Sequence, residues 1–159
     1  MSRLFIGIDP GKTGAIASIY LQNYASLPVI KIHNIPDEVH ELYELVRNIC
    51  GERPFDKIDL IHERVTASPQ MGVVSAFTFG KGYGRLEMVV EVASRIKKEV
   101  MTVEKVLPSA WQTSLDCLSH GNKTITYKKA KILFPDLKFT KSQADALLIA
   151  YYGYKKHGR

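Results

Sequence analysis

Three carboxylates stand where a carboxylate is costly. Asp9 ends the alternating apolar run that starts at Leu4, and period-two alternation puts it on one face with Phe5 and Gly7. Glu63 lies between Ile61 and Val65 on one face of a second apolar run, Lys57 to Val65. Asp145 follows helical spacing with Leu148, Ile149 and Tyr152, so it shares the stripe that should pack on a sheet. Each has a local explanation. Asp9 suits the start of a Pro-Gly turn. Glu63 suits an exposed edge strand, matched to Arg64. Asp145 completes a capping box with Ser142. Taken together, two carboxylates at strand ends and one on a covering helix make an all-oxygen set. Hard divalent ions such as Mg²⁺ or Mn²⁺ prefer such donors. Two of these ions about 4 Å apart activate a water and stabilise the leaving oxygen of a phosphodiester.

The elements that must bring these residues together are legible in outline. Leu4 to Asp9 and Ala15 to Tyr20 read as a hairpin around the turn Asp9-Pro10-Gly11-Lys12-Thr13-Gly14. Val29 to Ile35 is a third strand. A helix opens at Pro36-Asp37-Glu38, continues through Val39, Leu42, Val46 and Ile49, and stops at Gly51. Lys57 to Val65 is the next strand. Two helical stretches follow, Val73 to Phe79 and Arg85 to Lys98, divided by Gly80, Gly82 and Gly84. Val100 to Leu107 is a short strand. Pro108 to Leu115, Thr124 to Phe134 and Ser142 to Tyr154 are helical. Three antiparallel strands followed by crossover units predict an α/β fold, a mixed five-stranded sheet flanked by helices.

The turn Gly7-Ile8-Asp9-Pro10-Gly11-Lys12-Thr13-Gly14 invites two other readings. A Walker A loop needs four residues between its first glycine and Gly-Lys-Thr; here there are three, and no helix follows. The phosphate-binding hairpin of actin-like ATPases also begins with a strand, an Asp and a Gly-Thr-rich turn. That rival needs two such domains and a much longer chain.

Composition limits the function classes. The 159 residues carry a formal charge of +6, with 45% apolar and 24% charged residues, a globular balance. Residues 1–159 are expected to form one domain. From Leu118 onward nine basic residues face only Asp136 and Asp145. Such an end attracts polyanions or is simply a solvated face. No apolar run is long enough to span a membrane, and the first residues are too short an apolar stretch for a signal peptide. Cys50 and Cys117 fit no metal spacing, and Cys50 ends an apolar helical stripe. Their usage suits a reducing cytoplasm.

The chain resembles RuvC-type Holliday junction resolvases, particularly small RuvC-like endonucleases of bacterial viruses. The resemblance rests on an ordered set that runs over nearly the whole chain. Its members are Ile6 to Gly14, Ile61-His62-Glu63-Arg64-Val65, the glycine-rich Phe79 to Leu86, Pro108-Ser109-Ala110-Trp111-Gln112, and Ala144 to Ala150. It implies an RNase H-like nuclease domain and a homodimer acting on branched DNA. The implied activity is a Mg²⁺-dependent endodeoxyribonuclease of the crossover-junction type, with two ions per site, leaving 5′ phosphates. Asp9, Glu63 and Asp145 match the family's metal-binding carboxylates. Ser142 stands where the family usually has Asp or His, and a serine oxygen is a weaker, uncharged ligand. The loop Thr66-Ala67-Ser68-Pro69-Gln70 lacks the aromatic wedge of bacterial RuvC.

Other residues receive lesser roles. Lys12, Lys81, Arg85, Lys123, Lys128, Lys129 and Lys141 are candidate phosphate contacts, which position DNA without reading its sequence. Trp111 is a core or dimer anchor. Tyr83 is divided between packing and DNA. His62 points to the face opposite Glu63. Leu86, Val89, Val90 and Ala93 are candidates for a dimer interface or for monomer core. The alternatives to a nuclease are a branched-DNA-binding module with impaired catalysis and a fragment of an actin-like ATPase.

Overall fold

The computed structural model describes residues 2–21 and 27–158. Its elements are β1 (Arg3–Asp9), β2 (Ala15–Tyr20), β3 (Val29–Asn34), α1 (Val39–Gly51), β4 (Lys57–Glu63), α2 (Val73–Ile96), β5 (Met101–Val106), α3 (Pro108–Ser114), α4 (Lys123–Leu133) and α5 (Ala144–His157). The five strands form one sheet in the order β3-β2-β1-β4-β5. β1, β2 and β3 pair antiparallel, whereas β4 pairs parallel to β1 and β5 parallel to β4. This is the predicted α/β architecture.

Period-two alternation splits the core into two layers. Leu4, Ile6 and Ile8 point to one face of the sheet and pack with Leu42, Val46 and Ile49 of α1 and Leu86, Val89 and Val90 of α2. Phe5 points to the other face and packs with Ile61, Trp111, Ala146 and Ala150, under α3, α4 and α5. Glu63 thus belongs to an interior strand, buried, rather than to the exposed edge where pairing with Arg64 would have placed it.

Gly7 decides where α5 lies. A Cβ there would come 2.2 Å from the Ala150 nitrogen and 2.4 Å from the Ala146 carbonyl oxygen. The helix backbone therefore rests directly on β1, which only glycine permits. Farther along, the Phe5 ring meets Tyr154 edge-on, and the Arg3 guanidinium donates to the His157 carbonyl oxygen. The start of β1 faces the end of α5, so the start of α5 faces the end of β1. Asp145 is thereby carried to Asp9.

Two expectations need correction. The segment around Gly80, Gly82 and Gly84 does not interrupt the helix; α2 is continuous over 24 residues. Glycine in a helix costs about 1 kcal/mol but does not forbid it. Flanking contacts hold the segment. Phe79 stacks on Tyr83, Tyr83 stacks on His62 of β4 at 5.2 Å, and the Arg85 guanidinium donates to the Asp37 carbonyl oxygen. Second, Leu86, Val89, Val90 and Ala93 are buried against the sheet, so they are core and not available to a dimer partner. The outward apolar residues of α2 are Val73, Val74, Phe77, Met88, Val92 and Ile96. Among the described residues no helix is long and apolar enough to cross a membrane.

Candidate active site

Parallel pairing aligns Ile8 with His62, so the next residues, Asp9 and Glu63, end neighbouring strands side by side. Crevices beyond the carboxyl ends of parallel strands are where α/β sheets usually bind ligands. Here the crevice is lined by Asp9, Glu63 and Asp145, together with Gln112, Ser119, His120 and Lys123. All three carboxylates are buried, at 5%, 7% and 7% exposure. The sequence brings them from β1, β4 and α5 as expected.

Each carboxylate has different neighbours. Asp9 accepts from the Gly11 backbone amide, so its turn role and its site role coexist. Glu63 Oε1 accepts from the Trp111 indole nitrogen at 2.8 Å. Asp145 sits in the first turn of α5, where the helix dipole favours a negative charge. It forms no capping box, since α5 is capped at Gln143 without a side-chain bond. Asp145 Oδ1 is buried with no hydrogen-bond partner.

Burial and mutual repulsion dominate the electrostatics. Desolvation pushes the Glu63 carboxyl up to about 7, Asp9 and Asp145 add to the rise, and Trp111 and Lys123 oppose it. Desolvation also raises Asp9, with Lys123 opposing and Asp145 reinforcing. Lys123 ties the site together. Its Nζ lies 3.1 Å from Asp9 Oδ2 and 3.3 Å from Asp145 Oδ2. Burial works against its charge, but the two carboxylates outweigh burial and raise its pKa.

This donor set fits a hard divalent cation. The donors it offers are carboxylate oxygens, one of them buried without a partner, and a single ammonium faces three acids. The space between Asp9 and Asp145 is taken by the Lys123 ammonium. Among the described residues no group of three His, Cys, Asp or Glu side chains is drawn close enough to form a metal cage.

The remaining predicted residues lie apart from the cleft lining. The Ser142 hydroxyl is 2.9 Å from that of Thr140. The Lys141 ammonium donates to Thr124 Oγ1. Lys12 and Lys128 are exposed and Lys129 is half-buried. Lys81 and Arg85 belong to α2, across the sheet, and Arg85 is engaged with Asp37. Trp111 is a core residue that also holds Glu63, a role that composition does not signal. The loop through Ser119, His120 and Gly121 lines the cleft without a sequence motif to mark it. Gln112 Oε1 accepts from both the Ser119 amide and hydroxyl, and His120 takes a left-handed backbone, φ 47°. The only sequence trace of that strain is the adjoining Gly121.

No protein-family model and no curated protein matches the chain by sequence. Solved structures do match it by shape. Thermus thermophilus RuvC superposes with a TM-score of 0.64 at 18% identity, covering 99% of this chain and 97% of that one. T. thermophilus RuvC in complex with a Holliday junction substrate gives 0.67 at 16% identity, over 99% and 96%. The yeast mitochondrial Holliday junction resolvase gives 0.50 at 18%, over 92% of this chain and 75% of that one. The chain has the RNase H-like fold of RuvC. At these identities the likeness is one of fold, and a RuvC-like fold alone does not fix an activity. The carboxylate cleft must carry the functional argument.

Proposed function

We propose that the chain is a structure-selective endonuclease that cleaves branched DNA, four-way junctions among its substrates. Cleavage would be metal-assisted phosphodiester hydrolysis that leaves 5′ phosphates. The observation that carries this reading is the convergence of Asp9, Glu63 and Asp145, all buried, in one cleft at the carboxyl end of β1 and β4. Asp9, Glu63 and Asp145 would hold Mg²⁺ or Mn²⁺. The metal would supply an activated water and charge neutralisation at the scissile phosphate. Trp111 fixes the Glu63 carboxylate, and Gly7 fixes the distance between β1 and α5 on which the site depends.

Lys12, Lys128, Lys129 and Lys141 lie outside the cleft lining and supply phosphate contacts in this reading, with the +6 net charge behind them. Affinity for junction DNA should then fall steeply with salt. Replacing Lys128 and Lys129 by Ala should reduce the salt slope by about one per lost contact. Symmetric cutting of a four-way junction needs two sites, so the active form is a twofold homodimer. Val73, Val74 and Phe77, all strongly exposed on α2, supply an apolar surface for that contact. The two buried free thiols suit a reducing cytoplasm.

The test is cleavage of a four-way junction, a flap and a plain duplex with Mg²⁺, Mn²⁺ or EDTA. Asp9→Asn should abolish cutting and retain DNA binding, since it removes metal-site charge and no basic contact. Full cleavage by Asp9→Asn would sink the assignment. Binding without cleavage by the unaltered chain would favour an impaired binding module, and ATP turnover without DNA cutting would favour the ATPase reading.

A further inference from the structure

We propose that Lys123 is a built-in counter-cation that competes with divalent metal for the Asp9–Asp145 pair, so that metal entry requires the lysine to withdraw. The inference rests on the metal-dependent reading above and adds a regulatory residue to that site. Lys123 Nζ bridges one oxygen of each carboxylate, at 3.1 and 3.3 Å. Both acids are at most 10% exposed as side chains, whereas the lysine remains 47% exposed. It therefore reaches in from the mouth of the cleft and has a way out. The four-carbon stem makes such a withdrawal inexpensive.

The position of Lys123 on its helix strengthens the case. It is the first residue of α4, immediately after Asn122, whose side chain accepts from the Thr124 amide. A cation at a helix N-terminus opposes the helix dipole. Helix chemistry alone would not put lysine there; the two carboxylates compensate for it. The compensation is partial, because one ammonium leaves Asp145 Oδ1 without a partner. A divalent ion would bring twice the charge and could engage that oxygen. Among the described residues the acids do not by themselves form a metal cage. The ammonium thus occupies the position between Asp9 and Asp145 that a metal would take.

The experiment is calorimetric titration of Mn²⁺ into the full chain without DNA, for the unaltered protein, Lys123→Met, Lys123→Gln and the control Lys128→Met. Both Lys123 variants should bind Mn²⁺ at least tenfold more tightly. They should also melt at lower temperature in EDTA and regain stability with Mn²⁺. Lys128→Met, which removes an exposed charge from the same helix, should leave the affinity unchanged. Equal or weaker Mn²⁺ binding by both Lys123 variants overturns the proposal. A second measurement needs no substitution. Amine labelling of Lys123 in the unaltered protein, read by mass spectrometry, should rise severalfold when Mn²⁺ is added, and unchanged labelling counts against the competition. If the unaltered chain cuts junctions with metal but the variants bind Mn²⁺ no better, only the role of Lys123 fails. If the unaltered chain neither binds Mn²⁺ nor cuts, the metal-dependent reading fails and the lysine's role with it.

Discussion

His62 and Glu63 are neighbours on β4 and point to opposite faces of the sheet. Both are buried, and burial pushes both toward the neutral form, His62 down to about 4 and Glu63 up to about 7. Their company differs. Glu63 accepts a hydrogen bond from Trp111 and shares a cleft with Asp9, Asp145 and Lys123. His62 stacks on Tyr83, and neither ring nitrogen has a hydrogen-bond partner. A shifted pKa therefore does not mark a site by itself; convergence of groups from separate elements does. On the α5 face the sheet gathers charges around a place for a cation. On the α2 face it buries one neutral ring, with Glu87 and Lys105 near it.

The largest expected effect separates these two neighbours by activity. Glu63→Gln keeps the shape and removes the carboxylate charge. Metal-dependent junction cleavage should fall on the order of 10²–10³-fold, the scale of losing one group that stabilises developing charge. His62→Phe keeps an aromatic ring against Tyr83 and should leave cleavage within about twofold. Single-turnover rates on one four-way junction decide it. Comparable losses in the two variants would erase the distinction between the faces.

A second test concerns the scaffold of the site face. Gly7→Ala would drive a methyl group into the α5 backbone at Ala146 and Ala150. Backbone cannot rotate aside as a side chain can, so the variant should lose about 3 kcal/mol, the upper end for overpacking. Thermal or urea unfolding measures this. Because the same contact sets the spacing of Asp145 from Asp9, the folded fraction should also cut poorly. A Gly7→Ala protein of normal stability would mean that α5 does not rest on β1 as described.

These contrasts explain how far the sequence could be read. Strand alternation at Phe5-Gly7-Asp9 and Ile61-Glu63 and helical spacing at Asp145-Leu148-Ile149 reveal which carboxylates face one layer, because burial imposes those periods directly. Three antiparallel strands followed by crossover units were legible in the same way, whereas the order β3-β2-β1-β4-β5 came only with the structure. The continuity of α2 was not legible. Local glycine chemistry says stop, whereas the stack of Tyr83 on His62 and the Arg85–Asp37 contact tie the segment to the rest of the fold. Lys123 was legible as a basic residue but not as the bridge between Asp9 and Asp145, since no local period relates α4 to β1. Trp111 was hidden in the same way: its indole nitrogen meets Glu63 across 48 residues of sequence.

The smallest expected effect returns to His62, whose burial has a consequence for stability against pH. Desolvation holds its pKa well below the usual 6.5, while Glu87 works in the opposite direction and Lys105 adds slightly to the lowering. The folded protein therefore keeps the ring neutral under conditions in which the unfolded chain protonates it. Below pH 6.5 the unfolded state binds the extra proton, and stability declines as pH falls until the folded pKa near 4 is reached. At about 1.36 kcal/mol per unit, His62 alone takes away roughly 2 kcal/mol of stability between pH 6.5 and 5. His62→Phe removes this contribution, so as pH falls over that window the variant should gain stability relative to the unaltered chain by about that amount, roughly 2 kcal/mol. Glu63 contributes with the opposite slope. Its raised pKa means that the folded state holds a proton that the unfolded state releases, so it adds stability at low pH and loses it as pH rises through about 7. Urea denaturation of the unaltered chain and His62→Phe at several pH values between 5 and 7, in EDTA, separates the two. If the curves stay parallel, His62 titrates normally in the fold and the α2 face is wetter than its packing indicates.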